Sequence, residues 1–219
     1  RLGGGLLALG GLAGAAAHLL HPLPPDGAAH IAAYVHQTVP AHLLLMTAVL
    51  LVLLGLPSAT AAQGGRPLAA VGHFFLFVGV ALGDLLHAPI EFGVMPAMLR
   101  VGQSQALASG IEAAYGSGAL AQVQGFGMPA VLLGCILFAI ATLRAGVLAR
   151  WPAVLLVLFP VFGIAGMAGV PFVPPAMPTL YVALAAYGLV VAAGWRRPQP
   201  AVAAPAPVVK EREQAPALV

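Results

Sequence analysis

The sequence predicts an all-α polytopic membrane protein: six transmembrane helices, both termini cytoplasmic, with a long outer loop. Three observations lead there. The chain of 219 residues is 61% hydrophobic and 7% charged, whereas soluble domains are about a quarter charged. Its apolar residues form continuous runs, not the alternating segments of about ten residues that build a membrane β-barrel. Lysine and arginine also collect on one side of a six-span arrangement.

The first apolar segment lies near 2–20, enough to cross a hydrocarbon core of ~30 Å at ~1.5 Å per residue. Its small residues LAGAAAH (12–18) match a signal-cleavage pattern, but the glycine-rich packing pattern around them favours a retained helix. The second segment, 40–56, is short; DGAAHIAAYVHQTV (26–39) either extends it as a helix kinked at Pro40 or lies flat at the interface. The third spans 67–88, and the loop 89–127 follows. Within that loop, residues 104–126 suit one or two short helices on the membrane surface, and the loop 89–127 as a whole suits a lid over the outer face and a docking place for a protein partner. The fourth, fifth and sixth segments lie near 128–148, 152–172 and 178–195, with Pro160 predicting a kink in the fifth. Pro57, Pro67, Pro152 and Pro178 stand at segment edges. Residues 1–195 therefore read as one transmembrane domain, and the Pro/Ala-rich stretch 196–219 as a disordered cytoplasmic tail. Glycines four apart in GGLAG (10–14) and GVALG (79–83) suggest close packing of the first helix on the third.

In this arrangement Arg1, Arg66, Arg144, Arg150, Arg196, Arg197, Lys210 and Arg212 share one side, and Arg100 alone falls on the other. The positive-inside rule makes the basic side cytoplasmic. The high Ala, Gly and Leu content suggests a high-GC bacterium, hence a multi-pass protein of the bacterial inner membrane with the lipid bilayer as its first partner.

All seven histidines fall in the first half of the chain. His18 and His21 close the first helix at the outer side, His30 and His36 lie in the outer connection, His42 opens the second helix, and His87 closes the third. His73, roughly 10 Å in from Arg66 by helical rise, belongs to the inner half. At about 100° per residue, Asp84, His87 and Glu91 fall within ~60° of one another. Helix breaking at Pro89 would loosen the part of Glu91. His18, His21, His42 and His87 with Asp84, and Glu91 more weakly, thus form a candidate metal-ligand set; imidazole and carboxylate suit zinc or copper. Met46, Met95, Met98, Met128, Met167 and Met177 also map to the outer half, and thioether with imidazole suits Cu(I).

The separation of His73 from His87 resembles the ligand spacing of two-haem cytochrome b helices. No second inner-half histidine exists to pair with His73, so the resemblance extends at most to one b-type haem held by His87 with His42, His18 or His21. Other chemistry is poorly served. YGSGA (115–119) lies in the outer loop with no later histidine, and no phosphate-binding G-x-x-x-x-G-K or nucleic-acid-binding basic patch is present. The midplane is almost wholly apolar, which disfavours a polar solute pathway. The leading reading is transition-metal binding or handling at the outer face, without an evident enzymatic set. The alternative is a non-catalytic accessory or sensory subunit whose histidines anchor helix ends, and a single-haem protein comes third.

The orientation has a direct check. An impermeant thiol reagent applied from outside is expected to label Gly110→Cys and spare Gln199→Cys; the opposite pattern would invert the topology.

Overall fold

A computed structural model describes residues 1–22, 30–86, 88–116, 118–171 and 173–194. The stretch 196–219, read as a cytoplasmic tail, lies outside them. All secondary structure in the described residues is helical. In chain order the helices are α1 (Leu2–Leu20), α2 (Ile31–Ala62), α3 (Pro67–Val80), α4 (Met95–Arg100), α5 (Ser104–Gly116), α6 (Ala119–Ala145), α7 (Trp151–Met167) and α8 (Ala176–Ala192). Two π-helical turns, Ala81–Leu85 and Ile90–Val94, follow α3. Among the described residues four helical runs are long and apolar enough to cross a membrane: Leu2–Leu20, Ile31–Ala62, Pro67–Arg100 and Ala121–Ala145. Two apolar helices, Trp151–Gly166 and Ala176–Ala192, are shorter.

Helix α6 starts at Ala119, ahead of the segment expected near 128–148, and two other helical runs differ from their expected bounds for local reasons. Helix α2 takes up Ile31 to Val39 as continuous helix, with Pro40 and Pro57 both inside it. Each proline removes one backbone donor. Beyond Pro57, Ser58 Oγ donates to the Gly55 carbonyl at 2.6 Å and Thr60 Oγ1 to that of Leu56 at 3.3 Å. The third run does not end near residue 88. Pro89 sits at the entry to the second π-turn and helix continues to Arg100, so much of the expected outer loop is helical.

Glycine decides how the long helices meet. A Cβ on Gly11 would lie 2.4 Å from the backbone nitrogen of Ala185, and one on Gly188 2.2 Å from that of Ala8. These contacts bring α1 and α8 together antiparallel. Gly10 and Gly55 do the same for α1 and α2, meeting Ala48 with Val52 and Leu7 with Gly3. Gly72, Gly79 and Gly134 set α3 against α6. The expected packing of the first helix on the third is therefore corrected: among the described residues α1 rests on α2 and α8, and α3 rests on α6. Small-residue stripes permit close approach to any helix with a matching surface, so spacing alone did not choose the partner.

Helix α8 lies at the centre, with Leu180, Tyr181, Leu184, Tyr187 and Val190 buried against α1, α6 and α7. Its interior hydroxyl at Tyr187 pairs with Thr142 Oγ1 of α6 at 2.8 Å. A smaller core forms apart from the main one, where Ile31, Tyr34 and Val35 of α2 pack on Met95 of α4 and Leu107 of α5. Arg1, Arg66, Arg144 and Arg150 stand at helix termini that share one end of the bundle, where Arg66 reaches the Arg144 carbonyl. The smaller core caps the other end.

Overpacking at such contacts typically costs about 1–3 kcal/mol. Gly188→Leu is therefore expected to lower the thermal midpoint in detergent, whereas Gly5→Ala, whose added Cβ meets nothing within 4 Å, should hold or raise it. Equal midpoints for Gly188→Leu and the parent would contradict this packing.

Candidate metal centre

At the capped end the bundle draws together ionisable side chains from three sources. His21 follows the last residue of α1, His42 lies in the first half of α2, and Glu91 belongs to the second π-turn. His42 and Glu91 are buried, the latter 2% exposed, and His21 is partly buried.

The three side chains converge on a common point. His42 Nε2 lies 3.4 Å and His21 Nε2 3.7 Å from the same oxygen, Glu91 Oε2. One ligand atom from each of the three lies within 4.8 Å of the others, an arrangement that can hold a metal ion. Ligands ~2.0–2.1 Å from a tetrahedral ion stand roughly 3.3–3.4 Å apart, which the 3.4 Å between His42 and Glu91 matches and the 3.7 Å between His21 and Glu91 slightly exceeds.

The outer nitrogens fix which face of each ring is offered. His21 Nδ1 lies 2.7 Å from the Pro22 carbonyl and His42 Nδ1 3.1 Å from the Thr38 carbonyl. A carbonyl can only accept, so each Nδ1 carries hydrogen and each Nε2 is left to bind a proton or a cation. Metal-binding histidines are commonly held in this way. Tyr34 also donates its hydroxyl to Glu91 Oε2 at 3.1 Å.

The remaining expected ligands fall elsewhere. His18 and Asp84 form a separate pair, His18 Nε2 standing 3.7 Å from Asp84 Oδ2. Tyr181 of α8 donates its hydroxyl to that same oxygen, and its ring centroid lies 5.2 Å from that of His18. His87 lies outside the described residues. His73 is at the other end of the bundle, its Nδ1 2.8 Å from Thr60 Oγ1, where it ties α3 to α2. The haem expectation pairs His87 with His42, His18 or His21, and so it lies outside the described residues as well. The rings of His21 and His42 contact each other edge to face with centroids 4.7 Å apart.

Sequence reasoning missed both tyrosines. Tyr34, Thr38 and His42 recur every four residues, so one face of α2 carries the hydroxyl, the anchoring carbonyl and the ligand. That stripe was visible in the sequence. Tyr181 had no such signal, since it meets Asp84 from a helix almost a hundred residues away.

Comparison with protein-family models, curated proteins and solved structures finds no match to this chain.

His21, just beyond α1, has its pKa raised above the ordinary 6.5 by the Glu91 carboxylate, against an opposing effect of burial. Its ion pair with Glu91 therefore stabilises the fold fully below the unfolded pKa, and that contribution is lost as pH rises through the raised value. NMR titration should find His21 titrating above 6.5 in the wild type and lower in Glu91→Gln. An unchanged titration in the variant would remove Glu91 as the cause.

Proposed function

We propose that this protein binds a transition-metal ion, copper or zinc, through His21, His42 and Glu91 at the outer face of a bacterial inner membrane. The observation that carries the reading is the pair of imidazoles, each tethered through Nδ1 to a backbone carbonyl and each aiming Nε2 at one carboxylate oxygen at ligand-to-ligand spacing. A buried carboxylate is costly unless paired, and in the metal-free protein a proton on His21 supplies part of the compensation. A cation takes over that role on binding and releases the proton. Two imidazoles and one carboxylate leave room in a tetrahedral shell for water or an exchanging ligand, which suits binding and transfer. Tyr34 holds Glu91 Oε2 in position and limits its rotation toward bulk water.

The six-span reading takes α7 and α8 as the fifth and sixth spans. The clustering of arginines at one end supports a cytoplasmic assignment for that end by the positive-inside rule, which leaves the triad facing outward. The capping helices α4 and α5 then cover the site on its solvent side and offer a surface for a protein donor or acceptor of the metal.

Metal analysis of detergent-purified protein without a histidine tag, loaded with zinc, copper or Co(II), tests the reading. Tetrahedral Co(II) bound by nitrogen and oxygen should give visible bands that disappear in His42→Ala and Glu91→Gln. Tyr34→Phe should weaken binding by about 10–100-fold, as losing a partner of a ligand usually does. Loading should also fall as pH drops through the raised His21 pKa, where the proton competes. Metal content unaffected in both ligand variants would dispose of the triad as the site.

A further inference from the structure

The second carboxylate is not used by the triad. Asp84 is 4% exposed and holds Tyr181 on one side and His18 on the other. It also lines a pocket of about 220 Å³ between the first π-turn, α6 and α8, together with Gly83, Gly127, Met128 and Met177. Among the described residues Asp84 is the ionisable one of that lining, and two of the chain's six methionines line the pocket with it. His18 Nε2 is buried and has no hydrogen-bond partner among the described residues. It sits one helical turn before His21, where Cβ atoms are roughly 5–6 Å apart.

We propose that Asp84, Met128 and Met177, with His18 behind the carboxylate, form a second metal station that takes the soft monovalent ion Cu(I). The proposal rests on the triad reading and extends it by naming copper as the metal handled. Thioether sulfur is a soft ligand and suits Cu(I). One carboxylate neutralises one positive charge, so a monovalent ion leaves no net charge in the low-dielectric interior, whereas a divalent ion would. Gly83 and Gly127 thin the pocket wall, and His18, behind the carboxylate, stands one turn of α1 from His21. No change of oxidation state is required at the station.

Ag(I), a redox-inert stand-in for Cu(I), provides the test, with methionines labelled by ¹³C at the methyl group. On silver addition to the detergent-purified full chain, the Met128 and Met177 resonances should shift, whereas Met95 and Met98, packed in or against the smaller core, should not. Met128→Leu with Met177→Leu conserves volume and should weaken silver binding by at least about tenfold while leaving the Co(II) bands of the triad intact. Gly83→Leu should also weaken it by filling the pocket, since an added Cβ there meets nothing within 4 Å. Unmoved Met128 and Met177 resonances, or wild-type silver affinity in the double methionine variant, would overturn the station whatever the triad does. Absence of Co(II) bands in wild type, with the methionine shifts present, would instead remove the triad reading and leave the pocket standing as a site.

Discussion

Burial of two carboxylates inside an apolar bundle is the constraint on which this end of the molecule depends. An ionised carboxylate removed from water is costly unless donors or cations meet it. Each here is met in the same manner: a tyrosine hydroxyl on one side and imidazole at ion-pair distance on the other, Tyr34 with His21 and His42 for Glu91, Tyr181 with His18 for Asp84. The histidines come from α1 and α2, the tyrosines from α2 and α8. These helices can converge so closely because glycines at their crossings remove the side chains that would hold them apart. The polar groups and the packing stripes thus belong to one solution.

Both carboxylates lie in π-turns, Asp84 in the first and Glu91 in the second. A π-turn closes its hydrogen bonds five residues back and so rotates whatever follows relative to a regular α-helix. Pro89 stands at the entry to the second of these turns, where a missing donor costs less than inside an unbroken α-helical ladder. Wide turns of this kind are frequent at functional positions, and their occurrence at the only two carboxylates of this segment agrees with that tendency.

Composition and periodicity made the all-helical class and the apolar runs legible, because 61% hydrophobic residues with 7% charged leave few alternatives. The grouping of His21 and His42 was also within reach, since both stood at helix ends expected to meet. Glu91 was undervalued because Pro89 reads as a stop, and only the backbone reveals the π-turn that absorbs it. The division of the ligand set into two groups was invisible for a related reason: a wheel drawn at 100° per residue misplaces every residue beyond Ala81. The partner of α1 was equally hidden. Glycine spacing announces that a close contact exists, but which helix fills it depends on the whole bundle.

The triad lies at a seam. His21 and His42 belong to helices of the main core, and Glu91 immediately precedes α4, which packs in the smaller core with α5 and the first turns of α2. Small satellite cores open locally at lower free energy than the body they rest on. A ligand that bridges the seam binds only the closed form, so it must raise the opening free energy of α4 and α5 by linkage. If the triad binds metal as proposed, hydrogen exchange in those two helices would act as a gauge of occupancy, the cap being looser with the site empty than with it filled.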